Sequence, residues 1–438
     1  MIEWREVARD DTGLTLYRID AEMDHPVSPG QGRFDPMRGI LSRYSTRQTE
    51  KLDANFSESG APVGASSMKV ACHVVSYPDQ LLVVDSTFPS TSKEIFPTEL
   101  ERIVRSEGRD LADRPIDVLY THCHFDHAGG RDGVEALSGD VRTLAHPYTE
   151  ALFGQTSKRE MFFVSKGHFF RDCGVEESVE TLMLGLRELF LEAMGGAIDA
   201  EEMRSPYASA STEPLRIDVP IAPGREAVSM HEGRTEVLCF EGHIPGHLCV
   251  RVGRDHLITG DMWLPATTST VTPPSLAQLA DIEVEHCGVK LYMDSSLRLL
   301  ELDFDHCMSY PSHEAIFENP KRMAMRDLEI FHERFQLVYG VLAEHADNPM
   351  RVLDLAWGGE RAAPIWKLES SLYRLLMAHD EAAAYVHDLV AVGDLEEVEP
   401  ERYVYTGGTA LMKYLEAALG TARQDYGHLD FRSYRVRN

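Results

Sequence analysis

The sequence predicts a mixed α/β protein, and two observations support this. Short β-branched runs between residues 69 and 259, such as KVACHVV at 69–75 and LLVVD at 81–85, lie between turn residues, as strands do. Amphipathic stretches typical of helices occur at 95–107 and 290–303, and helical patterns dominate after Pro320. A chain that alternates strands with helices favours a layered α/β core.

The predicted elements divide the chain into three parts. Residues 1–65 are polar and rich in turn residues, with short strands at Trp4–Val7 and Leu14–Ile19, and we interpret them as an N-terminal extension. Residues 66–320 form the central domain, with a helical insertion at about 150–215, where no strand pattern occurs. Residues 321–438 form a mainly helical C-terminal region, which is winged-helix-like by the resemblance described below.

The individual predictions follow from the apolar periodicity and the turn residues that interrupt it. Strands are predicted at 69–75, 81–85, 116–121, 141–146, 226–230, 235–240, 247–252, 255–259 and 306–310. Helices are predicted at 95–107, 290–303, 321–345, 366–392 and 409–422, with a β-wing at 395–405.

Composition narrows the classes of function. Lys and Arg total 43 against 71 Asp and Glu, and the formal net charge of −28 opposes binding to phosphate backbones. The N-terminus MIEWREVARDD lacks a signal-peptide pattern, and no run of about 18 apolar residues occurs, so we expect a cytoplasmic protein without membrane contact. Seven dispersed cysteines without C-x-x-C spacing suit reduced thiols and exclude a cysteine-based zinc knuckle.

The segment His122-Cys123-His124-Phe125-Asp126-His127 directly follows a predicted buried strand and is rich in metal-ligand side chains. A tight loop at a strand end can direct His122 and His124 at one ion and Asp126 and His127 at a second. A helix suits this spacing less well, because residues i and i+2 lie on different faces. Imidazole and carboxylate suit zinc, manganese or iron. Cys123 points away from the ligands by alternation, and we expect it to pack in the core.

Three later residues, each at the end of a predicted strand, would complete the ion shell. His243 lies in GHIPGH, Asp261 in GDM and His313 in PSHE. A lone His or Asp in a turn is usually structural or solvated. Their ordered recurrence after strands favours one shared metal site.

These motifs, in this order, resemble those of the metallo-β-lactamase superfamily. The segment LLVVDSTFP is also similar to an early strand of that family that ends in Asp-Thr-Gly, although Asp85-Ser86-Thr87 lacks the glycine. The resemblance covers roughly residues 65–320 and implies an αββα sandwich with the metals at one sheet edge. It implies the dinuclear hydrolase branch, because every ligand position holds His or Asp.

The resemblance also implies a role for each ligand. His122, His124 and His243 would hold the first metal, Asp126, His127 and His313 the second, and Asp261 would bridge both. Asp126 is in addition the predicted catalytic residue, which orients the attacking hydroxide. The family often has a histidine in a supporting role at the position of His247.

The C-terminal third resembles a subgroup of this superfamily. The run from DSSLRLLELD through PSHE to NPKRMAMRDLEIFHER is similar to proteins with a winged-helix-like C-terminal region, such as β-lactamase-like protein 2 and fungal polyketide thioesterases. The chain departs from that subgroup at the last ligand, where Ser312-His313-Glu314 replaces Gly-His-Gly.

The expected function is hydrolysis of a small ester, thioester or lactone with two divalent metal ions, zinc being expected and iron or manganese remaining open. Two ions that share a water lower its pKa and supply hydroxide near neutral pH. Amides are less suited, because the sequence offers no clear proton donor for a leaving nitrogen. The alternatives are a diiron oxidoreductase or oxygenase on the same fold, and a ribonuclease-type phosphodiesterase, which the net charge opposes. The apolar C-terminal helix pair also makes a homodimer an expectation.

Substrate contacts are predicted less strongly. His146 and Tyr148 in LAHPY, and Lys166 and His168 in KGHFF, are the candidates, although a surface or core role is more common for such residues. The apolar cluster around FFVSKGHFF is interpreted as packing rather than an acyl pocket.

Overall fold

The computed structural model describes residues 2–10, 13–24, 67–87, 89–137, 139–156, 215–346, 348–357, 372–429 and 436–437. Within these residues, two seven-stranded sheets face each other across an apolar interior, and helices pack on their outer faces. This is the α/β sandwich that the sequence predicts, with a largely helical C-terminal region.

The first sheet runs in chain order. Its strands are β1 (Ile2–Arg9), β2 (Thr15–Asp24), β3 (Ser67–Ser76), β4 (Leu81–Val84), β5 (Ile116–Leu119), β6 (Val141–Ala145) and β7 (Val219–Pro220). β1 to β4 are antiparallel, and β4 to β7 are parallel. The parallel strands therefore direct their carboxyl ends to one edge of the sheet.

Residues 2–24 are part of this sheet. β2 pairs with β3 along its whole length, from Thr15 opposite Ser76 to Asp24 opposite Ser67. The sequence analysis interpreted residues 1–65 as a separate N-terminal extension. A local sequence pattern does not show that a strand pairs with another strand about fifty residues further on. The domain boundaries as such remain a prediction.

The second sheet also has seven strands in the part of the chain that the structure describes. They are β8 (Val228–Met230), β9 (Thr235–Cys239), β10 (Leu248–Val252), β11 (His256–Gly260), β12 (Met308–Pro311), β13 (Ile316–Glu318) and, at the far edge, β16 (Val436–Arg437). The pair β11 and β12 is parallel, and the other neighbours are antiparallel.

Side-chain alternation places successive residues of a strand in different layers. In β9, Val237 faces the interior between the sheets, whereas Leu238 joins the outer layer with the C-terminal helices. In β3, Val75 faces the interior, and Val74 packs on the opposite side with the first long helix. Both sheets are thus covered on both faces, as a four-layer αββα sandwich requires.

The helices occupy the connections and the C-terminal third. They are α1 (Pro89–Ser106), α2 (Phe125–Ala128), α3 (Arg131–Glu135), α4 (Pro147–Thr156), α5 (Pro274–Leu279), α6 (Val289–Glu301), α7 (Pro320–Glu344), α8 (Val352–Trp357), α9 (Leu372–Ala391) and α10 (Ala410–Tyr426). The predicted β-wing is formed by β14 (Leu395–Glu399) and β15 (Arg402–Tyr405). Beyond α4, the predicted helical insertion lies outside the described residues.

The C-terminal helices share one core with the second sheet. Leu238 and Trp263 belong to the same buried cluster as Phe331 and Phe335 of α7 and Leu415 of α10. Among the helices that the structure describes, none is both long and apolar enough to cross a membrane.

Candidate metal centre

All seven predicted ligands lie close together, at the ends of strands. His122 to His127 follow β5, His243 lies in the turn between β9 and β10, Asp261 follows β11 and His313 follows β12. Their ligand atoms form two groups, and within each group these atoms lie within 4.8 Å of one another. The first group is His122, His124, His243 and Asp261, and the second is Asp126, His127 and His313.

The first group has a spacing suited to one metal ion. His124 Nδ1 lies 2.9 Å from His122 Nε2 and 3.2 Å from His243 Nε2, and the two Nε2 atoms are 3.3 Å apart. Tetrahedral zinc with Zn–N bonds of 2.0–2.1 Å separates its nitrogens by about 3.3 Å. Asp261 Oδ2 lies 3.5 Å from His243 Nε2 and 3.8 Å from His122 Nε2, where a fourth ligand is needed.

The second group lies on the other side of Asp261. His313 Nε2 is 3.2 Å, and His127 Nε2 3.7 Å, from Asp126 Oδ2. Asp261 Oδ1 is 3.3 Å from His127 Nε2, and Asp261 Oδ2 is 3.5 Å from His313 Nε2. This carboxylate therefore contacts both groups, as a bridging ligand would.

Hydrogen bonds orient four of the imidazole rings from behind. In each of these rings Nδ1 bonds to the protein and Nε2 is directed at the centre, which fixes the tautomer that metal binding needs. The partners of Nδ1 are Thr121 Oγ1 for His122 at 2.9 Å, Asp85 Oδ2 for His127 at 2.9 Å, the Thr270 carbonyl for His243 at 2.9 Å and the Lys69 carbonyl for His313 at 2.6 Å.

Asp85 is a site residue that the sequence analysis did not assign. It is buried, with φ at +67°, and accepts hydrogen bonds from Thr121 N, Thr121 Oγ1 and His127 Nδ1. Thr121 Oγ1 in turn accepts a hydrogen bond from His122 Nδ1. Asp85 therefore orients one imidazole ring in each ligand group, His127 directly and His122 through Thr121. The available signal was an acidic residue directly after the buried strand LLVV.

His247 supports the centre from behind Asp261. The backbone N–H of Asp261 donates to His247 Nε2 at 3.2 Å. A side chain at Gly260, where φ is +54°, would place a Cβ atom 2.6 Å from that nitrogen, so only glycine allows this approach. The supporting role implied by the resemblance agrees with this position.

His146 and Tyr148 lie behind the turn that carries His243. A Cβ on Gly246 would lie 2.3 Å from His146 Nδ1, so the His146 ring packs directly on the turn. Tyr148 Oη is 3.1 Å from His286 Nε2, His286 Nδ1 is 2.9 Å from Glu241, and Glu241 accepts from Gly246 N. Their role as substrate contacts stays a prediction, and Lys166 and His168 lie outside the described residues.

Burial keeps the three imidazoles of the first group neutral. It holds the pKa of His122 well below its usual range, lowers that of His124 to about 3 and also lowers that of His243. Neutral imidazole is the form that binds metal. Cys123 lies between two ligands in the sequence and packs in the buried cluster between the first sheet and its outer helices. This burial raises the pKa of its thiol. Its position agrees with the packing role predicted for it.

In the second group the two imidazoles favour positive charge. Burial opposes charge on His127, yet Asp261, Asp126 and Asp85 outweigh it and raise the pKa to about 10. Burial also opposes charge on His313, but Asp261 and Asp126 outweigh it and hold the pKa of His313 well above its usual range. His127 Nε2 and Asp261 Oδ1 are buried and have no hydrogen-bond partner among the described residues. Buried polar atoms without partners that face one point, beside carboxylates, fit a cation bound there.

The fold and this His/Asp centre define a class of α/β-sandwich proteins with a divalent-metal site at the sheet edge. Residues 68–303 match the family model of the metallo-β-lactamase superfamily. The chain belongs to that superfamily, whose members typically bind divalent metals and are mostly hydrolases. His313 lies beyond the matched residues, and the other six candidate ligands lie within them.

Solved structures show the same fold at low sequence identity. A metallo-β-lactamase family protein from Thermus thermophilus is 19% identical, with a TM-score of 0.52 over 77% of this chain and 94% of that one. A β-lactamase domain protein from Burkholderia ambifaria is 18% identical, with a TM-score of 0.52 over 77% of this chain and 87% of that one. Among curated protein sequences, none is similar enough to match this chain.

Proposed function

We propose that the chain is a metal-dependent hydrolase that acts on a small ester, thioester or lactone through a dinuclear centre. The observation that carries the proposal is the pair of His/Asp groups with Asp261 in contact with both. Membership of a superfamily of mostly metallo-hydrolases supports it.

Each side chain would have a distinct task. His122, His124 and His243 would hold one ion, and Asp126, His127 and His313 the other, with Asp261 shared. When bound, two divalent ions supply a hydroxide near neutral pH and polarise a carbonyl oxygen. We expect zinc, and the ligand types also suit iron or manganese.

Asp126 is the proposed orienting residue. Burial opposes its charge, but His127 and His313 outweigh this effect and hold the pKa of Asp126 below its usual range. It therefore remains a carboxylate and can accept a hydrogen bond from the attacking water, which directs the water lone pair towards the substrate.

The substrate would approach from the side of His124 and His313. The His313 side chain is 18% exposed, whereas His122 and His127 are fully buried. Esters, thioesters and lactones suit the site better than amides, because their leaving groups need little help from a proton donor.

The test is metal content followed by activity. Protein purified without chelator is expected to carry about two zinc ions per chain and to cleave members of a thioester, ester and lactone panel. Asp261→Asn should lose metal and activity, whereas His306→Ala, which removes an exposed histidine outside the site, should keep both.

Other results would redirect or reject the proposal. About two iron ions with visible absorption would favour the diiron oxidoreductase. Little metal that added zinc does not restore, or metal-loaded protein inactive on the whole panel, would contradict the hydrolase.

A further inference from the structure

We propose that Arg18, in the second strand of the first sheet, is a positioning residue for His313 and thereby for the second metal position. The inference rests on the proposed function. It concerns a side chain that belongs to neither ligand group and that lies far from them in sequence.

Arg18 bonds to both sides of the loop that carries His313. Its side chain is buried, and Nη1 donates to the Pro311 carbonyl at 3.3 Å and Nη2 to the Glu314 carbonyl at 2.8 Å. These two carbonyls flank Ser312 and His313. One planar guanidinium thus fixes the distance between the two ends of the loop, which a lysine ammonium cannot do in the same geometry.

A carboxylate fixes the guanidinium itself. Arg18 Nε donates to Asp20 Oδ1 at 2.7 Å, on the same strand and the same face of the sheet. All three nitrogens of the fork therefore have an acceptor. A charged hydrogen bond of this kind is stronger than a neutral one.

The loop needs such support because it leaves regular structure at the ligand. β12 ends at Pro311, and Glu314 has φ at +65°, a left-handed conformation that is unfavourable for glutamate. The first sheet supplies the remaining contacts as well, since Ala71 N donates to Ser312 O at 2.6 Å and Lys69 O accepts from His313. The second metal position is thus built across the two sheets.

The first group is held by other residues. His243 contacts Ser269 Oγ at 2.8 Å and the Thr270 carbonyl at 2.9 Å, and His122 contacts Thr121. Arg18 bonds to none of these residues. Loss of the Arg18 hydrogen bonds should therefore weaken binding of the second ion and leave binding of the first ion unchanged.

Arg18 and His313 both lie outside residues 68–303, the part that matches the family model. The fork is therefore supplied by an N-terminal strand that precedes the matched residues. It gives those strands a task in the metal centre.

The experiment compares Arg18→Ala and Arg18→Lys with wild type and with Arg5→Ala. Arg5 lies on the neighbouring strand, is half exposed and reaches Asp20 only at 4.0 Å, so it is a matched control. Zinc is titrated into demetallated protein in competition with a chromophoric chelator, and elemental analysis counts the ions retained after dialysis.

We expect two binding steps in wild type and in Arg5→Ala. In Arg18→Ala one step, that of the second metal position, should lose about tenfold or more in affinity, as when other outer partners of metal ligands are removed. The other step should stay within about twofold, and Arg18→Lys should lie between Arg18→Ala and wild type. Unchanged affinities, or equal weakening of both steps, would overturn the inference.

Hydrogen exchange separates this inference from the proposed function. If wild type binds no zinc, the hydrolase proposal fails, and the fork is still tested by exchange of the amides at 312–314. Faster exchange there in Arg18→Lys, without change at 243–247, supports the positioning of His313, whereas unchanged exchange contradicts it. Arg18→Lys also serves if Arg18→Ala does not fold.

Discussion

At the scale of single residues, the centre depends on side chains that do not themselves face the ions. Asp85 is the clearest case, because one buried carboxylate accepts from Thr121 and from His127 and so reaches both groups. Its φ of +67° is a conformation that Asn also tolerates. Asp85→Asn therefore changes the charge and one acceptor while leaving the backbone in place.

We expect Asp85→Asn to weaken zinc binding by about 10–100-fold, because the His127 ring loses its charged partner. Competition with a chromophoric chelator measures this affinity. The control is Ser312→Ala, which removes the longest contact of Asp85, at 3.4 Å, and should stay near wild type. Equal effects of the two substitutions would contradict the role assigned to Asp85.

A second residue makes stability depend on pH. Asp388 of α9 accepts from Lys290 N, at the start of α6, at 2.7 Å, and burial raises its pKa to about 7. The folded protein therefore holds this proton at pH values where the unfolded chain, with the ordinary value of 3.8, has lost it. The contribution of Asp388 to the free energy of unfolding is therefore fully present below pH 3.8. It declines as the pH rises and is lost once the pH passes about 7.

Asp388→Asn should accordingly raise the melting temperature most at pH 8, where wild type carries a buried charge, and by clearly less at pH 5, where only part of the Asp388 contribution is lost. Calorimetry at both pH values with metal-saturated protein measures the difference. A substitution effect of the same size at both pH values would show that the ionisation of Asp388 is not its cause.

At the scale of elements, one acid fixes the last long helix. Asp394 is buried and accepts from Ala410 N at 2.8 Å and Leu411 N at 3.0 Å, at the start of α10, and from the Tyr339 hydroxyl of α7. It caps α10 and joins it to α7. The wing strand β14 begins at the next residue, so the same side chain fixes the base of the wing.

Asp394→Ala should lower the free energy of unfolding by about 2–4 kcal/mol, the sum of a lost cap and a buried hydroxyl left without an acceptor. Tyr339→Phe, which keeps the cap and removes only the hydroxyl, should cost less. Urea unfolding followed by circular dichroism gives both values. A larger loss in Tyr339→Phe than in Asp394→Ala would contradict the assignment.

The sequence predicted most elements but not all of their limits. Strands with clear apolar runs, such as β4 and β5, and the long amphipathic helix α7 were predicted within a few residues. Helix α1 begins at Pro89 rather than at the predicted residue 95, because the segment STFPSTS has the composition of a loop and yet contributes the first turn of the helix. The pairing of β2 with β3 depends on contacts distant in the chain, which no local pattern contains.

The candidate ligands could be predicted because four ligand-type side chains fall within six residues after one strand, and His or Asp recurs after three later strands. The residues that orient these ligands could not be predicted from the sequence. Lys69 and Thr270, for example, act through backbone carbonyls, which every residue has. Arg18 is likewise an ordinary strand residue until the fold brings it to the loop of His313.

At the scale of the whole molecule, charge decides between two alternatives for the function. The net charge of −28 repels phosphate backbones, and the wing contributes Glu396, Glu397 and Glu399 as exposed side chains. We expect no retardation of single-stranded RNA in a gel at low salt and no cleavage by zinc-loaded protein. Binding that weakens with added salt, together with cleavage, would favour the phosphodiesterase.

The metal centre and the C-terminal helices should unfold together. Arg326 of α7 donates to the carbonyls of Leu264, Pro265 and Thr267, in the segment that continues to Ser269 and Thr270 and thereby holds His243. The buried cluster that contains Trp263 of this segment extends without interruption into α7, α9 and α10. We therefore expect neither part to lose its packing while the other stays intact.

Calorimetry should therefore show one transition for both parts, and chelator should shift that transition as a whole to lower temperature, because ions that bind only the folded state stabilise all of it. Circular dichroism, to which α7, α9 and α10 contribute strongly, should follow the same curve. Two transitions, of which chelator moves only one, would mean that residues 320–438 fold as a separate unit.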